Sequence, residues 1–378
     1  MIKRNTKVYI PLSEFITEYS ERNTENKYSP VAVGKYGIRS RESIYSKELA
    51  ADYSKNKLIY MNTLTVGMGS KQIDVGVLID DITYSVSPAY HTYKIENINA
   101  QYLDYCIQCR NQDMFNRFVK RGSRQGKTID LKRWITYEIP VYDDESQAEI
   151  VEYLNRAQLL IELSKKQLEK LDTLIKARFV ELFGDPVANE KGWSTSLLKN
   201  VTSKIGSGAT PRGGKESYKT EGITLIRSMN VHDGRFEYKD LAHITEEQAE
   251  QLNNVIIEEN DVFINITGAS VARSCVVPKH ILPARVNQHV AIISCITSTL
   301  NPIFANNMFL NESFKRKLLD IGETGGATRQ AITKQQLEFL TVVLPPIELQ
   351  NQFADFVKQV DKSKVVVQKV LEILEFLR

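Results

Sequence analysis

The residues best equipped for chemistry lie in five polar segments of the second half, three of them carrying glycine, at 204–215, 227–230, 267–273, 285–289 and 324–330. They present Lys204, Ser207, Thr210, Arg212, Arg227, Asn230, Ser270, Arg273, Arg285, Asn287, Gln288, Thr324, Arg329 and Gln330. Glycine lets backbone amides approach a phosphate closely, and Ser and Thr add short donors. Arg, Asn and Gln can pair bidentately with guanine or adenine edges. The first half has counterparts at 35–41, 67–71, 85–87 and 120–127, carrying Lys35, Arg39, Arg41, Ser70, Lys71, Ser87, Arg124, Gln125 and Lys127. At an offset of 200, Val86-Ser87 falls on Val286-Asn287, as if one scaffold carried different reading residues. Any one of these segments also fits an ordinary solvated turn. Their recurrence makes nucleic acid the expected ligand.

Signatures of catalysis and metal binding stop short of complete. Gly122-Ser-Arg-Gln-Gly-Lys-Thr128 has three residues between its glycines where a P-loop needs four, and a helix, not a strand, is expected before it. Asn301-Pro-Ile-Phe304 echoes the Asn-Pro-Pro-aromatic motif with which amino-methyltransferases hold a flipped base, but lacks the second proline. His91, His232, His243, His280 and His289 show no HExxH or HxE spacing, and there is no Gly-x-Ser-x-Gly elbow. Cys106-Ile-Gln-Cys109 has the CxxC spacing of half a zinc site without a second pair. On an expected helix over 102–119 it reads as two half-buried thiols one turn apart. No catalytic residue, metal or cofactor is therefore expected.

The elements that must position these loops follow from length and pattern. A chain of 378 residues predicts two or three domains. Hydrophobic residues at 42% and charged residues at 25% are the proportions of ordinary soluble protein, which argues against disorder, collagen or a disulfide scaffold. The 49 Lys and Arg against 46 Asp and Glu leave +3, which neither demands nor excludes a polyanionic partner, because a local basic surface suffices. The first 15 residues carry charge but no apolar core of signal-peptide length, and the longest uncharged stretch, 286–311, is broken by polar residues and proline. A cytoplasmic protein without a membrane partner is expected.

The chain contains a long repeat. At an offset of 205, Arg124 and Gln125 match Arg329 and Gln330, Thr136 matches Thr341, and Pro140 matches Pro345. Gln-led segments follow, 147–154 and 350–357, now at an offset of 203, which implies two extra residues in the first turn. Leu154, Ile161, Leu168, Ile175 and Leu182 recur every seven residues, as do Phe353, Val360, Val367 and Leu374, with Phe356, Ser363, Val370 and Leu377 three places on. A sustained seven-residue apolar repeat is the seam of a coiled coil; two amphipathic helices lying on separate domains are the alternative. No Gly or Pro interrupts 147–183, and Gly184-Asp-Pro186 ends the helix. At about 1.5 Å per residue this segment spans roughly 55 Å, a spacer. The globular segments, 1–146 and 187–345, show short apolar runs at 57–66, 75–81 and 137–141 and at 223–227, 262–266, 286–296 and 340–344, expected as strands, with helices at 246–253 and 311–320. The fold class is α+β: two β-rich mixed domains separated by long helices at 147–186 and 346–378.

With this duplicated framework, the Gly206-Ser-Gly-Ala-Thr-Pro211 loop after Trp193, the Gly-rich Thr-Arg-Gln loop before a strand ending Leu344-Pro-Pro346, and the helix end Lys176-Ala-Arg-Phe-Val-Glu-Leu-Phe-Gly-Asp-Pro186, the chain resembles the specificity subunits of type I restriction–modification systems. The resemblance implies two target recognition domains, 1–146 and 187–345, each reading one half of a split, asymmetric double-stranded DNA target. It also implies that the helices pack as an antiparallel coiled coil and dock two modification (methyltransferase) subunits, and a restriction (endonuclease and translocase) subunit where one is encoded alongside. The subunit itself is then non-catalytic, with adenine methylation and ATP-dependent cleavage belonging to the assembled complex. The second helix reaches only the equivalent of Ile175, so a lopsided coiled coil is expected, and the first module has no clear counterpart of the Gly206–Pro211 loop. Half-sites about one turn of B-DNA apart, roughly 34 Å, fit a spacer of this length. Two rivals are a methyltransferase fusion using Asn301 to Phe304, and a coiled-coil adaptor without DNA.

Overall fold

Runs of β-branched and aromatic residues punctuated by Asn, Gly and Pro dictate many short strands, and the computed structural model shows them in residues 7–34, 37–41, 52–122, 126–210, 218–323 and 330–377, the residues it describes. The chain divides into two compact units, 1–160 and 161–377. In the first, a four-stranded antiparallel sheet runs in the order Ile16–Tyr19, His91–Ile95, Thr63–Met68, Ile73–Leu78. Helix α1 (Ala100–Phe118) packs on it through a core containing Leu64, Val66, Val75, Leu103 and Ile107. The hairpin Val31–Gly34 with Gly37–Ser40 also packs on it, so close at Gly76 that an added Cβ would sit 2.8 Å from the Ile38 nitrogen. The apolar run 57–66, expected as one strand, is two: Asn62 at φ 61° turns the chain between Lys57–Ile59 and Thr63–Met68, a backbone Asn tolerates better than most residues. Helix α2 (Leu131–Trp134) is capped by Asp130 and buries Trp134 completely. The ribbon of Val8–Pro11 with Glu138–Val141 closes the unit and leads into α3 (Asp144–Phe183).

The second unit repeats this plan. Its four-stranded sheet runs Thr202–Ser207, Val290–Cys295, Val262–Asn265, Ser274–Val276, the order of the first. Beside it Ile223–Ile226 pairs antiparallel with Ala242–Ile244 and parallel with Ala284–Val286. Helix α4 (Glu246–Glu250) follows Thr245, while α5 (Pro302–Leu310) and α6 (Glu312–Glu323) take the place of α1. Helix α7 (Lys334–Glu338) corresponds to α2, and the ribbon of Ser194–Leu197 with Thr341–Leu344 leads into α8 (Ile347–Leu377). Equivalent hydrogen bonds fix the correspondence: Leu12 N donates to Tyr137 O at 3.0 Å, and Leu198 N to Leu340 O at 2.8 Å. Asp130 caps α2 as Thr333 caps α7. Tyr137 and Leu340, like Asp130 and Thr333, share the offset of 203 already expected for the helices, so no extra turn residues are needed between these points and the helices. The prolines matched at 205 are not equivalent: Pro140 lies within its strand, Pro345 just past the end of its own.

The long helices meet inside the second unit. Phe179 contacts Phe353 at 5.6 Å between ring centres, Asp172 bonds Lys364 at 2.7 Å, and Lys165 bonds Glu375 at 2.8 Å. Positions fall along α3 as they rise along α8, so the pair is antiparallel, and Ile161, Ile175, Phe353 and Val360 are buried in it. Leu168, Val367 and Leu374 are half-buried, as is Leu154, which belongs to the first unit. The second seam row on α8 differs from expectation. Val357 and Leu371, four places on from Phe353 and Val367, are each 6% exposed, whereas Val370 is 45% exposed. Heptads alternate steps of three and four, and three identical apolar residues at 365–367 left the phase ambiguous. Helix α3 begins at Asp144, a turn earlier than read from the sequence, and Gly184 ends it at φ 72°.

Candidate nucleic-acid interface

The antiparallel order of the second unit's sheet puts the ends of Thr202–Ser207 and Val262–Asn265 beside the starts of Ser274–Val276 and Val290–Cys295. The loops leaving them therefore share one end of the sheet. Arg227 joins them because Asn287 N donates to Ile226 O at 3.0 Å and Asn265 Nδ2 to Ser228 O at 2.9 Å. Gln330 joins because its carbonyl accepts from Gly268 N at 3.0 Å. Ser207, Thr210, Arg227, Ser270, Arg273, Asn287, Gln288 and Gln330 are thus brought together. Gly208 makes the approach possible: its amide donates to Asn287 O at 3.2 Å, and a Cβ there would overlap the Val286 carbonyl oxygen.

A hydrogen-bonded chain crosses these loops. Thr210 donates to the Gln288 carboxamide oxygen, the Gln288 nitrogen lies 3.3 Å from His289 Nε2, and His289 Nδ1 lies 2.5 Å from Thr267 Oγ1. Gln330 Nε2 donates to Glu323 at 2.6 Å. His289 and Thr267 stand among these converging loops but were not singled out in a sequence reading that weighed histidines only for metal spacing; their place in the polar segments 267–273 and 285–289 was the available signal. Arg227 lies 5.4 Å over the Tyr218 ring and donates to Asp240 O, while its Nε is buried without a partner.

Three expected readers sit elsewhere and are engaged within the fold. Asn230 is fully buried, accepting from Arg227 N at 3.1 Å and donating to Glu237 O at 3.0 Å. Arg285, 9% exposed, donates to Ala249 O, Ala284 O and Asn253 Oδ1, and burial holds its pKa below the ordinary arginine value. Lys204 donates to Ile256 O at 2.6 Å.

In the first unit the corresponding sheet end carries exposed Ser70 and Lys71 in the turn before Ile73–Leu78, with Lys127 donating to Ser70 O, and Ser87 after the strand Tyr84–Val86. Ser87 and Asn287 do the same local work. Ser87 Oγ accepts from Ala89 N at 3.4 Å and its carbonyl from Tyr90 N at 3.1 Å; Asn287 Oδ1 accepts from His289 N at 3.0 Å and its carbonyl from Val290 N at 3.4 Å. Pro88-Ala89 therefore stands where the second unit has Gln288-His289. Arg39 is exposed on its hairpin, and Arg41 lies 5.6 Å over the Tyr53 ring. Lys35, Arg124, Gln125, Arg212, Thr324 and Arg329 lie outside the described residues.

The near-motifs have structural duties. Asn301 caps α5, accepting from Ile303 N at 2.9 Å and Phe304 N at 3.3 Å, and Phe304 is fully buried with Phe183 at 4.7 Å. A base-holding role would need both exposed in a pocket. Val119–Gly122 pairs antiparallel with Gly126–Ile129, so strands stand on both sides where a P-loop needs a strand and then a helix. Cys106 is buried, which raises its thiol pKa, while Cys109 is exposed, so the two are not alike. Among the described residues no group of three or more His, Cys, Asp or Glu is placed to hold a metal, and no helix is long and apolar enough to cross a membrane.

Comparison with known proteins bears on this surface. Residues 190–374 match the family described as the type I restriction modification DNA specificity domain. The chain is 24% identical over 216 residues, 54% of its length, to the type I restriction enzyme EcoAI specificity subunit of Escherichia coli, and the match spans 35% of that relative. The fold is similar, along the entire chain, to the S subunit of a type I restriction–modification system from M. genitalium, with TM-score 0.56, 13% identity and 95% of that chain covered. It is likewise similar to a chain solved in work on complex assembly and conformational transition of the type I R-M system, with TM-score 0.58, 15% identity and 96% covered.

Proposed function

Since residues 190–374 belong to the type I restriction modification DNA specificity domain family and the whole chain has the fold of an S subunit, we propose that it is the non-catalytic DNA-sequence-specificity subunit of such a system. Its target is bipartite and asymmetric double-stranded DNA, with 1–146 reading one half and 187–345 the other. The observation that carries this is the convergence of Ser207, Thr210, Arg227, Ser270, Arg273, Gln288 and Gln330 on one sheet end, together with the same framework in the first unit bearing different residues at matched positions. Lys and Arg of these loops position phosphates; Gln, Ser and His reach base edges.

In this reading α3 and α8 form the spacer and the docking surface for two methyltransferase subunits, with an endonuclease subunit where one is present. Val365, Val366, Ile373 and Phe376 are exposed on α8, more apolar surface than a solvated helix needs. The partners supply adenine methylation and ATP-driven cleavage, and this chain needs no cofactor. The test is to replace 187–345 with the corresponding segment of another specificity subunit and map methylated adenines genome-wide. One half of the recognised sequence should change and the other persist; a change in both halves, or no dependence of methylation on this chain, would refute the reading.

A further inference from the structure

Among the described residues, each unit holds one buried glutamine, at the junction between its globular part and its long helix. Gln147 is 2% exposed: its Oε1 accepts from Asn99 N at 3.0 Å and its Nε2 donates to Tyr142 O at 2.7 Å. Gln350 is fully buried: its Oε1 accepts from Asn301 N at 2.9 Å and its Nε2 donates to Pro345 O at 2.8 Å and Thr299 O at 3.1 Å. Asn99 and Asn301 are the caps of α1 and α5, the helices that cover the sheets, while Tyr142 and Pro345 follow the closing strands. One carboxamide thus ties three elements: the sheet-covering helix, the closing strand and the first turn of the long helix. The same tie appears twice in segments that otherwise share little sequence around it.

The joint calls for a carboxamide, and Asn carries the same group one methylene shorter. The joint needs one acceptor and one donor on a single short group; Glu supplies no donor at neutral pH and Leu supplies neither. The apolar packing beside it, Val151 in the first unit and Phe353 in the second, is non-directional and would tolerate rotation or sliding of the helix. Hydrogen bonds are directional, so the amide fixes both azimuth and axial position. Angular accuracy matters to a protein that reads two half-sites, because at about 10.5 base pairs per turn one added base pair rotates the second half-site by roughly 34°.

We propose that Gln147 and Gln350 are positioning residues that lock each recognition module to its own helix and thereby set how strictly the spacing between half-sites is read. This rests on the specificity reading above. The test uses the full chain assembled with its modification subunits and duplexes carrying the mapped half-sites at the native spacing or with one base pair added or removed. For Gln147→Leu and Gln350→Leu, methylation of altered relative to native spacing should rise about tenfold, the ratio associated with losing roughly one net hydrogen bond, with the half-site bases unchanged. Gln147→Glu and Gln350→Glu, which keep the acceptor and lose the donor, should lie between and carry the test if the leucine variants do not fold. A core variant, Leu103→Ala, should lower methylation without changing that ratio. Folded glutamine variants that discriminate spacing as the wild type does would overturn the proposal. Wild-type chain that directs no half-site-specific methylation would instead sink the specificity reading beneath it.

Discussion

The seam of α8 allows a sharp test, because the sequence supports two phases and the structure adopts one. Leu371 is 6% exposed in the seam and its neighbour Val370 is 45% exposed outside it. Truncating a buried leucine costs about 2–5 kcal/mol through lost transfer energy and the cavity left behind. A two-helix seam collapses more readily than a globular core, so Leu371→Ala is expected near the lower end, about 2–3 kcal/mol. Val370→Ala removes two methyls already largely in water and should cost about 0.5 kcal/mol or less. For a unit the size of 161–377, about 2–4 °C of melting temperature accompanies each kcal/mol. Far-UV circular dichroism of the full chain should therefore show a fall of roughly 4–12 °C for Leu371→Ala and about 2 °C or less for Val370→Ala. Hydrogen exchange along 353–374 would place the loss on α8. Equal shifts, or a larger one for Val370→Ala, would mean that the helices meet along the other phase and that the ion pair of Lys364 with Asp172 does not mark the seam.

Further expectations follow from the same geometry. Gly208→Ala should destabilise the second unit by about 1–3 kcal/mol through its clash with the Val286 carbonyl and weaken DNA binding beyond that, as measured by titration of labelled duplex at matched temperature below melting. Burial lifts the Asp104 carboxyl to about 6, above its unfolded value, so stability is fully present below the unfolded pKa and is lost as pH rises through about 6. Asp104→Asn should then raise the urea midpoint at pH 8 relative to wild type, by an effect on the order of 1–3 kcal/mol, and leave it nearly unchanged at pH 4. If Lys71 contacts a phosphate, Lys71→Ala should reduce the slope of log affinity against log salt by about one and weaken all sequences alike.

Much of this was legible before the structure, and what was not has identifiable causes. The long helices and their relatedness were plain because seven-residue periodicity sums over many turns, whereas the phase of the second seam row was not, since apolar residues at 365–367 and 370–371 satisfy either three- or four-residue steps. Strands were found but run together at Asn62 and at 287–289, where turns carry only one to three polar residues between apolar runs. Helix α5 was hidden in an uncharged stretch, Pro-Ile-Phe-Ala-Asn-Asn-Met-Phe-Leu, whose nearly uniform apolarity gives no amphipathic signal because six of its nine residues are buried. Among site residues, side-chain type identified candidates but not their facing: Arg285 and Asn230 have the chemistry of base readers and spend it on neighbouring carbonyls.

The equivalence of Ser87 and Asn287 separates framework from reading residues at a single loop. Both cap the turn entering the sheet, so their type is constrained by the amides two places on, and a change from one to the other preserves the cap. The next two positions, Pro88-Ala89 and Gln288-His289, are not so constrained, and in the second unit they carry the hydrogen-bonded chain to Thr210 and Thr267. Divergence of specificity between the units should therefore reside there. Asn287→Ser is expected to leave both the melting temperature and the methylated sequence essentially unchanged. Gln288→Ala and His289→Ala should relax one position of the second half-site, each losing about 1–3 kcal/mol of discrimination if it pairs with a base edge. Methylome mapping separates the cases. An altered motif from Asn287→Ser, with none from Gln288→Ala or His289→Ala, would place reading at the cap itself and dissolve the distinction.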